Sequence, residues 1–86
     1  MWKVYFLRSR RKKWYYVGST DNLERRIREH NTKKVTSTKA HVPLDVVHTI
    51  DFASESEARS FERKIKKQRL LKEQIIRTIE KHWGIV

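Results

Sequence analysis

The sequence predicts an α+β domain: a small three-stranded antiparallel sheet flanked by helices, in the order β-β-α-β-α-α. Three observations predict it. Two aromatic and β-branched stretches, "WKVYFLR" and "WYYVG", flank the basic connection "SRRKK", which is short enough for a hairpin loop. Two capping signatures, Asp21 with Glu24 and Ser54 with Glu57, each open a helical segment. A third strand-like run, "LDVVHTIDF", lies between those helices. The 86 residues fit one domain, residues 1–86, with a single modest core.

Taken in order, residues 2–8 alternate. Trp2, Val4 and Phe6 share one face, and Lys3, Tyr5 and Leu7 share the other. If the first two strands pair, Tyr15 and Val17 join the Trp2 face, while Tyr5 and Tyr16 lie together on the opposite one. Gly18 ends the second strand. Asp21 is the expected N-cap of the helix "NLERRIREH". The polar segment "NTKKVTSTKAHVP" has no period and ends in Pro43, so a mobile loop is expected. The third strand covers 44–52, and "ESEARSFERKIKKQ" forms the second helix. A final helix is expected over roughly 71–82, with Leu71, Ile75, Ile76 and Ile79 at helical spacing.

Lys and Arg number 21 against 10 Asp and Glu, giving a formal charge of +11 and a pI near 10.4. Such an excess attracts polyanions, so nucleic acid is the expected partner. An acidic membrane surface would call for an amphipathic helix with one clean apolar face, and these helices are committed to a core. No segment approaches the ~20 apolar residues that span a bilayer. The start "MWKVYFLRSRR" reads as a strand and lacks the apolar core and cleavage site of a signal peptide. With no cysteine present, disulfides and thiolate metal sites are excluded. A cytoplasmic location is the expectation, and a monomer, since one core can use up the apolar inventory.

The first helix holds an anomaly. Its only apolar residues are Leu23 and Ile27, and the stripe through them runs 23, 26, 27, 30. Arg26 and His30 therefore lie at the edge of the buried face. In the second helix the stripe is Ala58, Phe61, Glu62 and Ile65, so Glu62 points inward or half inward as well. A buried Arg26–Glu62 ion pair would account for two of these groups, although desolvation offsets much of such a pair's attraction. Snorkelling of Arg26 and His30 to water is a second structural account. The functional account is a site at the junction of sheet and helices, holding a cation for phosphate, a titratable His, a carboxylate for a metal and two tyrosines. Each part suits phosphodiester hydrolysis. Arg can bridge phosphate oxygens. One carboxylate can hold Mg²⁺ that keeps most of its waters. A Tyr or His within reach of water can act as a base.

These residues resemble the GIY-YIG nucleases. That family includes the incision domain of the bacterial excision-repair nuclease, some phage homing endonucleases and short stand-alone bacterial proteins. The first motif stands here as Lys3-Val4-Tyr5 and the second as Tyr16-Val17-Gly18, with ten residues between the tyrosines. "STDNLERRIREHN" is similar to the family's helix, whose Arg falls ten positions after the second Tyr, at Arg26. His30 falls where the family carries His or Tyr. "SEARSFERKIK" resembles the segment with the metal-binding Glu, here Glu62. One departure is Lys3, which stands in place of the family's first Gly, as often in the stand-alone members. The resemblance covers roughly residues 2–75.

The resemblance implies a metal-dependent endonuclease that hydrolyses DNA with one Mg²⁺ or Mn²⁺ on Glu62. Tyr16 or His30 would deprotonate water, Tyr5 would position it, and Arg26 would stabilise the phosphoryl oxygens. Gly18 would leave room at the strand end. Lys3, Arg11, Lys12, Lys13, Lys33, Lys34, Lys39 and Lys66 are the expected phosphate contacts, and DNA is favoured over RNA. The alternatives are a non-catalytic binding module on the same fold and an RNA-associated basic protein. His41, His48 and His82 have no spacing that suggests a metal site. The three Trp read as packing residues, with Trp14, on the Tyr16 face, able to stack on bases.

Overall fold

The computed structural model describes residues 1–84. Strands β1 (Trp2–Ser9), β2 (Tyr15–Thr20) and β3 (Leu44–Phe52) form one antiparallel sheet in the order β2-β1-β3. Helices α1 (Leu23–Asn31), α2 (Glu55–Lys67) and α3 (Arg69–Trp83) complete it, with a short 3₁₀ turn at Lys39–His41. The expected fold class and element order are those observed. No helix among the described residues is long and apolar enough to cross a membrane.

β1 is central and covered on both sides, which is why Val4, Tyr5, Phe6 and Leu7 are all buried. The covering differs between the faces. Val4, Phe6 and Val17 pack with Ala58, Ile65 and Ile79 of α2 and α3. Tyr5 and Leu7 pack with Leu44, and Tyr16, Leu23 and Ile27 close around them under α1. The single expected core is thus two, one on each side of the sheet. The β3 strand serves both through a bulge. Phe6 pairs with His48 but Leu7 pairs with Val46, which leaves Val47 as the extra residue. Leu44 and Val46 therefore face α1, while Ile50 and Phe52 face α2 and α3.

Helix α1 starts one residue later than Asp21 would have it. β2 stays paired to Thr20, whose hydroxyl accepts from the Asn22 amide at 3.0 Å. The Asn22 side chain then caps the helix by accepting from the Arg25 N–H at 3.0 Å. Asp21 is left exposed, 3.7 Å from Arg25. Ser54 caps α2 as expected, accepting from the Glu57 N–H at 3.2 Å. The α3 helix begins at Arg69, two residues earlier than its apolar spacing implies, because Gln68 ends α2 and starts α3.

The expected mobile loop is tied at several points. Lys33 turns left-handed at φ 64° and ends α1 with paired bonds, Lys33 N–H to His30 O and Lys34 N–H to Glu29 O. The chain folds back beneath the helix and Thr38 becomes fully buried. The Ser9 hydroxyl donates to the His41 carbonyl at 2.7 Å. The Asn31 side chain bonds both backbone groups of Leu44, at 2.8 and 3.1 Å.

Candidate active site

β1 places Tyr5 opposite Gly18 in the ladder, on the face that α1 covers. The hydroxyl end of the Tyr5 ring lies against that glycine. A Cβ at Gly18 would stand 2.6 Å from Tyr5 Cζ and closer still to its hydroxyl oxygen. Only a residue without a side chain admits the ring there. The Tyr5 hydroxyl bonds His30 Nε2 at 2.9 Å, and His30 Nδ1 bonds the Thr38 hydroxyl at 2.8 Å. His30 is fully buried and Tyr5 is 1% exposed.

His30 therefore neither snorkels nor meets water. Both its ring nitrogens are bonded inside the protein, one to Tyr5 and one to Thr38, and neither faces water. Burial pushes its pKa down to about 4, helped by the positive Arg26 guanidinium and opposed by Glu29. Burial likewise pushes the Tyr5 hydroxyl up to about 12, with Arg26 pulling it down and Tyr16 and Glu62 adding to the rise. Both groups are neutral near pH 7.

Arg26 covers this pair. The neighbouring Tyr5 hydroxyl is the main cause holding the Arg26 pKa above the ordinary value, with burial opposing and Glu29 adding to the rise. Arg26 donates to Glu29 at 3.0 Å and remains about a third exposed. The anticipated Arg26–Glu62 ion pair does not form. Glu62 sits across the β2 edge on α2, accepting from the Ser19 hydroxyl and from Lys66 Nζ at 2.8 Å. Its side chain is 18% exposed. Lys66 Nζ lies 5.3 Å from the centre of the Tyr16 ring, so Glu62, Lys66 and Tyr16 form one cluster. Tyr16 is half-buried and packs edge-on against His30, with ring centres 5.3 Å apart. Its hydroxyl makes no hydrogen bond among the described residues, in contrast to that of Tyr5.

The fit of a divalent ion can be judged from the donor set. Among the described residues no group of three or more His, Asp or Glu is placed to hold a metal. Glu62 offers one partly exposed carboxylate with two of its roughly four lone-pair positions in use. That suits a hydrated Mg²⁺, which takes one or two carboxylates and completes its shell with water and substrate phosphate.

The expected phosphate contacts divide by environment. Lys3 is held by Asp51, Lys13 by Glu80 at 3.4 Å and Lys66 by Glu62. Lys13 reaches the α3 side of the sheet, away from Tyr5. Arg11, Lys12, Lys33, Lys34 and Lys39 are exposed and make no ion pair among the described residues. Trp14 is half-buried, with its ring stacked on His41 at 3.7 Å between centres and on Tyr16 at 6.2 Å. His41 thus occupies the Trp14 face that a base would need. Trp83 ends α3 more than half exposed, its indole N–H bonded to the Val47 carbonyl at 2.7 Å. Sequence reasoning missed Ser19, Asn31 and Thr38, since isolated small polar residues carry no period.

The sequence model described as the GIY-YIG catalytic domain matches residues 1–74. The chain belongs to the GIY-YIG family. Its relatives there include short proteins named UPF0213. One from Streptococcus pneumoniae is 32% identical over 83 residues, covering 84% of each chain. One from Natronomonas pharaonis is 38% identical over 63 residues, covering 71% of this chain and 74% of the relative. A UPF0213 protein of Bacillus halodurans, solved by solution NMR, superposes with a TM-score of 0.56 at 32% identity. That likeness covers 91% of this chain and 85% of the other. The match to the GIY-YIG domain spans every element that carries Tyr5, Tyr16, Arg26, His30 and Glu62.

Proposed function

We propose that this GIY-YIG protein is a metal-dependent endonuclease that hydrolyses DNA phosphodiester bonds, acting as a single domain over residues 1–86. The observation that carries the reading is the meeting of an exposed part of Arg26, an unbonded Tyr16 hydroxyl and the Glu62 carboxylate around a buried Tyr5–His30 pair. A fold built for stability alone gains little from such a set.

The roles follow from exposure. Tyr16 is the hydroxyl without a protein partner, so it orients the attacking water and, once its own proton has passed to solvent, takes the water's proton as the phenolate. Arg26 has N–H groups left after Tyr5 and Glu29, and these meet the phosphoryl oxygens where negative charge builds. Tyr5 and His30 are positioning residues that hold Arg26 and pack Tyr16. Glu62 would hold one Mg²⁺ or Mn²⁺, with Lys66 giving up part of its contact. Such an ion, when bound, would polarise the phosphoryl group and stabilise the leaving oxygen. Arg11, Lys12, Lys33, Lys34 and Lys39 would follow the strand by their charge. The cysteine-free composition fits a cytoplasmic protein, and the two filled cores fit a monomer.

Nicking of supercoiled plasmid with Mg²⁺ or Mn²⁺, by the natural protein and by Glu62→Gln, tests this reading. Metal-dependent nicking that disappears in the variant is the expected result. Absence of nicking by the natural protein on plasmid, branched and single-stranded DNA would replace the enzyme with a binding module.

A further inference from the structure

Lys66 differs from the other helix cations in the acid it holds. In the other ion pairs at i,i+4 spacing among the described residues, the acid is 33–91% exposed. Glu62, the partner of Lys66, has a side chain only 18% exposed. The Ser19 hydroxyl, on the sheet edge, donates to Glu62 Oε1. Lys66 Nζ donates to Oε2 at 2.8 Å and stands 5.3 Å from the centre of the Tyr16 ring. The ammonium is thus held between a carboxylate and an aromatic face, and both attract it.

Ser19 takes the sheet side of the carboxylate, and Lys66, 45% exposed, takes the solvent side. A hydrated divalent ion would reach Glu62 from that same side. A single and a double positive charge at one carboxylate oxygen repel by more than an exposed ion pair gains. Ammonium and divalent ion therefore compete for Glu62. The flexible four-carbon stem of Lys66 lets the ammonium leave the carboxylate and stay beside Tyr16. It then has three donors ready for an anion.

We propose that Lys66 is the resident counter-ion of Glu62: it sets the affinity of that carboxylate for a divalent ion and, when displaced, passes to the substrate phosphate. The proposal rests on the nuclease reading of Glu62 and adds a coupling to it. Ion and DNA favour each other's binding, because each releases the partner that the other needs.

Mn²⁺ binding without DNA, read from the EPR signal of the free ion, tests the competition. Lys66→Gln removes the competing cation. Lys67→Gln removes the same charge from an exposed neighbour that makes no ion pair among the described residues. Lys66→Gln is expected to tighten Mn²⁺ about 5-fold, the upper end for a pair with an exposed partner. Lys67→Gln is expected to change it less than about 2-fold, since solvent and salt screen a more distant charge. Equal effects of the two variants, or weaker Mn²⁺ binding by Lys66→Gln, would overturn the proposal. Fluorescence anisotropy of a labelled DNA duplex in EDTA tests the transfer. Glu62→Gln frees Lys66 and is expected to tighten the duplex, and the gain is expected to fall at least about 2-fold when Lys66→Gln is added. A gain of equal size with and without Lys66 would overturn the transfer to phosphate. Mn²⁺ that binds neither the natural protein nor Lys66→Gln would remove the metal from Glu62 and the proposal with it. The expected Mn²⁺ and duplex shifts in a protein that never nicks would uphold the exchange and defeat the nuclease reading alone.

Discussion

The two faces of the sheet are built by different rules. Under α2 and α3 the central side chains are apolar, from Val4 and Phe6 through Ala58, Ile65 and Ile79. Under α1 the same strand offers Tyr5 and Leu7, and the helix answers with a buried His30 backed by Thr38. One face returns stability for every buried atom. The other takes titratable groups out of water and must satisfy each with a bond, at little net gain. The contrast teaches that α1 is held for what it positions, while α2 and α3 hold the molecule together.

The contrast can be broken or sharpened by substitution. The largest effect is expected at Phe6→Ala, which opens a cavity in the apolar face and costs about 3–5 kcal/mol. Chemical denaturation should show it as a shift in midpoint at constant slope. Next comes acid. His30 is neutral and buried, and its pKa falls from an ordinary 6.5 to about 4 in the folded protein. The unfolded chain thus takes up the proton first. The contribution is fully present above pH 6.5 and is lost as pH falls toward 4, on the order of 3 kcal/mol at the limit. Arg26 and Glu29 are the charges that face it, and they act in opposite directions. In His30→Gln this slope between pH 6.5 and 5 should disappear, as read by thermal unfolding across pH. A smaller loss is expected for Tyr5→Phe. It leaves His30 Nε2 buried without its hydrogen-bond partner, at about 1–3 kcal/mol, and it should also weaken nicking because Arg26 loses a neighbour that positions it.

Much of this division is legible in the sequence. The alternation in "WKVYFLR" assigns Tyr5 and Phe6 to opposite faces, and the stripe 23, 26, 27, 30 puts Arg26 and His30 against the sheet. Strand β3 and the Ser54 cap fall where turn and capping chemistry put them. Other features are hidden for physical reasons. Residues 44, 46, 50 and 52 alternate without a break, so nothing announces the bulge that sends them to two faces. The left-handed residue that ends α1 is Lys33, not the glycine that would mark it. Asp21 and Asn22 are both good caps, and the choice falls to Asn22 because β2 remains paired to Thr20. Partners of the site charges are set by reach. Glu62 finds Lys66 one turn away and Ser19 across the strand edge, and Arg26 finds Glu29.

The most direct test of the α1 face as a site pairs thermal unfolding with plasmid nicking for Arg26→Ala. The account predicts a stability change of about 1–3 kcal/mol, the worth of a part-buried hydrogen bond to a charged group, here Glu29. It predicts a fall in nicking rate of about 10²–10³-fold, the effect of removing one donor from developing charge. A protein that loses several degrees of stability but cuts DNA at its original rate would contradict it, and would make Arg26 a structural residue.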